Sequence, residues 1–266
     1  MATVFSEAQF KRFRLFLSIY QDGSGQLIDA LGNTLPGWRD FERCAAFSLG
    51  GQAQENKFIF DVLLPQPDPK NTWAGISCKM RRVLNEVKRT GQVTLELSNS
   101  AGKFWQRLQR QGINQQNYKS KPDDVGQSLI SLVREWHSAV SLEQGGKVNL
   151  QRSCYLALMW SVQGEYQLYQ FPLTLPDPEN ILWQFPSAQA AEVDLRRHLR
   201  GSIQGKTIFE WYGESGGQLK YYPDISQATW RSEIFRLEPL PLNWREKHDI
   251  LAKARDYFPD LWKVNE

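Results

Sequence analysis

Residues 55–103, ENKFIFDVLLPQPDPKNTWAGISCKMRRVLNEVKRTGQVTLELSNSAGK, contain three extended runs and one helical run in close succession. Lys57 to Leu64 is a predicted strand, with Phe58, Ile59, Phe60, Val62, Leu63 and Leu64 apolar and a single acid, Asp61, set inside the run. The turn Pro65-Gln66-Pro67-Asp68-Pro69 reverses the chain, because each proline removes a backbone donor and fixes φ. Thr72 to Lys79 is a second strand ending on Ser77-Cys78-Lys79. Helical spacing runs from Met80 to Arg89 and stops at Thr90-Gly91. A third strand, Gln92 to Ser98, ends on the polar corner Ser98-Asn99-Ser100. Strand, turn, strand, helix, strand predicts half of an α/β sheet.

The flanks fit that frame. Ser6 caps a predicted helix to Tyr20, whose Phe10, Phe13, Phe16, Leu17 and Tyr20 form one stripe. Trp38 to Leu49 is a second helix, ended by Gly50-Gly51 and carrying Glu42 between Asp40 and Arg43. Ala101 to Gln111 is a helix with Lys103, Arg107 and Arg110 largely on one side. Gly112 to Lys121 is polar, and a long helix is expected over Asp123 to Leu142. Beyond Gly145-Gly146 the chain becomes β-rich. Leu150 to Leu173 reads as a hairpin about Gln163-Gly164, a short helix follows near Ala188 to Arg200, and Lys206–Tyr212, Gln218–Tyr222 and Trp230–Leu237 are strand-like. A last helix covers Trp244 to Tyr257. The expected organisation is one domain over 1–266, with a core at about 38–145 and a β-rich elaboration at about 146–266.

Composition narrows the classes. With 41% hydrophobic and 23% charged residues, a chain of 266 can bury a full core. A net charge of +3 permits a nucleic-acid partner without requiring one. Three cysteines, Cys44, Cys78 and Cys154, show no metal or redox spacing, and three histidines lack partners for a zinc or Ser-His-Asp arrangement. Without a signal-like start or a long apolar run, a reduced, cytoplasmic protein away from the membrane is expected.

Asp61 and Lys79 lie on strands that the Pro-rich turn can bring side by side. An acid there can hold a divalent cation against phosphate oxygens. A lysine beside it can position an attacking water and offset charge on the phosphoryl group. The arrangement over Trp38 to Lys103 resembles the PD-(D/E)xK nuclease superfamily, and within it the type II restriction endonucleases. Asp61 matches the metal-binding aspartate of that motif, although Phe60 replaces its proline. Lys79 matches the lysine, Cys78 stands at the intervening position whose backbone carbonyl commonly binds metal, and Glu42 matches a first-helix glutamate near the metal. Ser77 stands where the second acid is usual, so that carboxylate must come from elsewhere: Glu42, Glu86 or Glu96. Glu96 is preferred, because an acid inside an apolar strand needs a partner more than one on a helix.

What the resemblance implies is a mixed sheet flanked by helices, Mg²⁺-dependent cleavage of double-stranded DNA at a specific sequence, and a homodimer encoded beside a cognate DNA methyltransferase. Arg81, Arg82, Ser98, Asn99, Lys103, Gln218 and Lys220 are the candidate DNA contacts. The alternatives are a repair or recombination nuclease and a metal-free DNA-binding scaffold, which Ser77 favours. Each candidate also has an ordinary explanation: Asp61 can pair with Lys57 or Arg81, Lys79 can snorkel, and the basic run 79–89 can be a solvated face.

Overall fold

The computed structural model describes residues 4–29, 32–54, 59–67, 71–98, 100–186, 198–241 and 250–263. In chain order its elements are α1 (Glu7–Ile19), β1 (Leu27–Ile28), β2 (Thr34–Leu35), α2 (Trp38–Leu49), β3 (Gln52–Ala53), β4 (Val62–Pro65), β5 (Trp73–Arg81), α3 (Leu84–Thr90), β6 (Leu95–Ser98), α4 (Ala101–Arg110), α5 (Pro122–Ser138), β7 (Cys154–Trp160), β8 (Tyr166–Pro172), β9 (Leu182–Gln184), β10 (Leu199–Ile203), β11 (Lys206–Trp211), β12 (Leu219–Tyr221), β13 (Trp230–Arg231), α6 (Ile250–Tyr257) and α7 (Pro259–Lys263). The protein is mixed α/β, as its sequence predicts. Among the described residues no helix is long and apolar enough to cross a membrane.

Two compact units interleave along the chain. One takes 1–91, 147–173 and 226–266, the other 92–146 and 174–225. In the first unit a six-stranded sheet runs β13-β8-β7-β5-β4-β3. Its neighbours are antiparallel except β5 and β7, which lie parallel from Ile76↔Cys154 to Arg81↔Met159. Alternation gives the sheet two faces. Val62, Ile76, Cys78, Cys154, Leu156 and Leu158 join one core with Phe13, Phe16 and Leu17 of α1 and Phe41, Cys44 and Ala45 of α2. Both helices have defined starts. Ser6 Oγ accepts the Gln9 N–H while Gln9 Oε1 accepts the Ser6 N–H. The Asp40 carboxylate accepts the Gly37 N–H at 2.8 Å and the Gln26 N–H at 3.1 Å. α2 ends at Gly50, whose φ of 68° suits glycine.

In the second unit an antiparallel sheet runs β6-β12-β11-β10-β9. Trp183, Phe209 and Tyr221 stack across it, and Trp211 meets Phe104, Trp105 and Tyr118 at its other end. Gly126 of α5 lies against the Trp183 indole, where any Cβ would come within 2.1 Å of the ring.

Several expectations are corrected. The third strand is no part of the sheet that holds β4 and β5: β6 pairs with β12, a partner from more than a hundred residues later. The strand beside β5 after the intervening helix is instead β7. β5 extends to Arg81, so the following helix begins only at Leu84. The long helix stops at Ser138, because Ser141 and Gly145–Gly146 already form turns beyond it. Of the strand expected at Trp230 to Leu237, only Trp230–Arg231 and a single bridge at Phe235 pair. Lys57, Phe58, most of the helix expected at 188–200, and the first part of the last helix fall outside the described residues.

Candidate active site

Asp61 occupies the last position before β4, not the middle of a strand. Its backbone N–H donates to Ile76 O at 3.0 Å, and its carbonyl accepts the Gln54 N–H at 2.8 Å, so the backbone is fixed on both sides. Phe60, just before it, is fully buried and lies over Gly75 of β5, where an added Cβ would come within 2.3 Å of the ring. Only glycine admits this approach. The turn of chain at Phe60 thereby aims the Asp61 side chain at the end of the β4–β5 hairpin.

Three donors reach the same oxygen of Asp61. The Cys78 N–H donates to Oδ2 at 2.7 Å, Ser77 Oγ lies at 3.4 Å and Lys79 Nζ at 3.6 Å. Oδ1 receives no hydrogen bond from any described residue. One oxygen of the carboxylate is therefore anchored and the other left available. The Lys79 side chain is only 18% exposed and that of Asp61 28%, so the pair is partly removed from solvent screening.

Glu42 completes the group from α2. It is half-buried, and no described residue gives it a hydrogen bond or an ion pair. Burial pushes its carboxyl up to about 7, and the Asp61 charge adds to the rise, against the opposing pull of Lys79, Arg39 and Arg43. Two hard carboxylate oxygens, one with an unused lone pair and one held out of water without a partner, fit a small divalent cation. Among the described residues no group of three or more His, Cys, Asp or Glu could hold a metal.

The raised Glu42 carboxyl has a consequence for stability without cation. A folded-state pKa above the ordinary carboxylate value means that the native state binds the proton more tightly. Stability then falls as pH rises from about 4.5 to about 7. Glu42→Gln is expected to unfold at a Tm about 3 °C higher than the wild type at pH 8 in EDTA, and at the same Tm near pH 4. Equal melting temperatures at both pH values would show that Glu42 is well solvated.

Cys78, Arg81 and Arg82 lie on or just after β5, Glu86 lies on α3, and the other described candidates belong to the second unit. The Cys78 thiol is buried and its pKa lies well above the ordinary thiol value, through burial and then the charges of Asp61 and Glu42. Glu86 is exposed on α3. Glu96, the preferred second carboxylate, lies in the sheet of the other unit, with Lys220 as its register partner. The apolar-strand acid thus stands across from a lysine within its own sheet. Gln184, Arg200, Glu210, Lys220 and Glu96 form one row over five strands. Within it Glu210 accepts from Arg200 Nε at 3.0 Å, Tyr212 Oη at 3.0 Å and Tyr222 Oη at 2.7 Å. Lys220 Nζ sits 4.0 Å from the Tyr212 ring centroid. Ser98 Oγ accepts the Ser100 N–H, Lys103 Nζ lies 5.5 Å from the Trp136 ring, and the carbonyl of Gln218 accepts the Tyr212 N–H. Asn99 lies outside the described residues. Arg81 and Arg82 stand at the carboxyl end of β5, two and three residues beyond Lys79. Sequence reasoning missed the Glu210 cluster, although Glu210 stands between Phe209 and Trp211 and Lys220 between Leu219 and Tyr221.

No family model, no curated protein and no solved structure matches this chain.

Proposed function

We propose that the protein is a Mg²⁺-dependent endonuclease that hydrolyses phosphodiester bonds in double-stranded DNA at a specific sequence, in the manner of a type II restriction endonuclease. The observation that carries this reading is the convergence of Asp61, Ser77, Lys79 and Glu42 at one end of the β4–β5 hairpin. The resemblance noted from the sequence rests on these same positions. Antiparallel β4 and β5 after α2, followed by α3 and, beyond β6, α4 and α5, by β7 parallel to β5, support it further.

In this reading Asp61 and Glu42 would hold Mg²⁺, which would supply charge compensation to the phosphate. Ser77 and the Cys78 N–H orient Asp61 by hydrogen bonding to its other oxygen. Lys79 orients the attacking water and donates toward the phosphoryl oxygens as their charge grows. The chemistry asks no nucleophile of the protein. A homodimer would cut both strands of a palindromic site, and a methyltransferase encoded nearby would protect the host copy.

A second reading is a DNA-binding protein without metal. It is favoured by Ser77, which stands where an acid would otherwise strengthen cation binding, and by the Asp61–Lys79 pair itself, which satisfies both charges. Digestion of unmethylated phage DNA separates the two. With Mg²⁺ the purified protein is expected to give discrete fragments, and with EDTA intact DNA. Binding without cleavage at any Mg²⁺ concentration would overturn the nuclease reading in favour of the scaffold, and a continuous smear would point to a nuclease without sequence preference.

A further inference from the structure

A cleft of about 280 Å³ opens at the carboxyl ends of the parallel neighbours β5 and β7, lined by Leu27, Trp38, Met80, Arg81, Arg82 and Trp160. Crevices beyond the carboxyl ends of parallel strands are a recurrent place for ligands, because the backbone there turns away and leaves side chains to line the gap. Two features set this one apart. The Trp38 side chain, at the first residue of α2, is 54% exposed, while Phe41 and Cys44 on the same helix are fully buried. Each indole also carries a guanidinium: Arg39 lies 4.9 Å from the Trp38 ring and Arg82 lies 5.7 Å from the Trp160 ring. The lining is aromatic, aliphatic and basic, with no acid.

We propose that this cleft receives an unpaired nucleobase of a DNA strand, stacked on Trp38, with the arginines of β5 and its end facing the adjoining phosphate. The proposal rests on the nuclease reading and names the form of DNA that site takes: a strand with one base out of the stack. Flat apolar rings beside fixed cations suit a base attached to a phosphate, since the ring offers a π-face and the guanidinium meets the charge. An apolar peptide side chain would fill the space but bring no charge to the basic side of the lining. Position agrees. Arg81 is two residues along the strand from Lys79, on the same face, and Trp38 is one helical turn before Glu42. The two elements that carry the reacting groups therefore also carry the cleft.

Binding in EDTA tests this without cleavage. Three labelled hairpin duplexes would be titrated by fluorescence anisotropy: one fully paired, one with a single bulged adenine, and one with an abasic bulge. The wild type is expected to bind the bulged adenine about tenfold tighter than the abasic bulge. Trp38→Ala, at an exposed ring whose loss spares the core, is expected to remove that difference and leave abasic binding unchanged. Arg82→Ala is expected to weaken all three and to lower the salt dependence by about one unit of slope. Equal binding of the adenine and abasic bulges by the wild type, or a preference that survives Trp38→Ala, would overturn the cleft assignment while leaving the nuclease reading intact. Failure to bind any of the three would overturn the DNA substrate and the cleft together, whereas loss of cleavage alone would be seen only with Mg²⁺.

Discussion

Lys79→Ala should cut DNA about 10³-fold more slowly than the wild type in Mg²⁺ and still melt close to the wild-type temperature. The size follows from what the ammonium does in the proposed reaction. It is a fixed donor, mostly shielded from water, aimed where phosphoryl charge develops, and removal of one such donor typically costs 10²–10³ in rate. The small effect on stability follows from the anchoring of Asp61. At 3.6 Å the Lys79 contact is the longest of the three on Oδ2, and the Cys78 N–H at 2.7 Å remains after it is gone. Partly exposed ion pairs contribute little to folding, about 0.2–1 kcal/mol. Asp61→Asn should be as inactive, because the amide still accepts the Cys78 N–H but carries no charge for a cation. Asp61→Ala is the poorer probe, since it strands that N–H without an acceptor, at about 1–3 kcal/mol. Cleavage by Lys79→Ala at the wild-type rate would remove Lys79 from the reaction. Loss of rate with a matching loss of melting temperature would assign it a structural role.

Gly75→Ala should be the most damaging single methyl in the first unit. The added Cβ would stand 2.3 Å from the Phe60 ring, which is fully buried. Overpacking of this kind costs roughly 2–3 kcal/mol, or about 5–10 °C in melting temperature for a chain of this length. Activity should fall as well, because Phe60 and Asp61 are consecutive and any shift of the ring moves the carboxylate. Adding Phe60→Leu should restore part of the stability lost in Gly75→Ala. A Gly75→Ala protein as stable as the wild type would show that the ring moves freely and that Asp61 is positioned by the sheet ladder alone.

Local signals carried much of the fold. α2 begins and ends where its sequence indicates, because Gly37 before it and Gly50 after it mark changes of backbone conformation that no side chain contests. The β7–β8 hairpin was legible from Gln163-Gly164 and the flanking aromatic alternation. The meeting of Asp61 with Lys79 was legible too, since a Pro-rich reversal leaves two antiparallel strands few ways to pair. Partner choice over long distances was not. The alternation Val93, Leu95, Leu97 against Thr94, Glu96, Ser98 identifies a two-faced strand but says nothing of which edge it joins, and the answer lies at residues 219–221. Glu96 gave the stronger reason for needing a partner, and the sheet sets Lys220 opposite it. Glu42 showed no such need in the sequence, because a helical glutamate among charged neighbours looks solvated until the fold buries it. Trp38 was hidden for the opposite reason, as a large aromatic at the start of an amphipathic helix is expected inside.

The interleaving of the two units also sets an order of events during synthesis. β5 is complete at Arg81, but its parallel neighbour β7 begins only at Cys154. At about 5–20 residues per second, β5 waits roughly 4–15 s on the ribosome with one edge open. A hairpin of β4 and β5 can close at once, but the edge that β7 will cover stays available to other chains throughout that interval. The strand that carries Lys79 is thus the stretch of this protein most in need of shelter while it is being made.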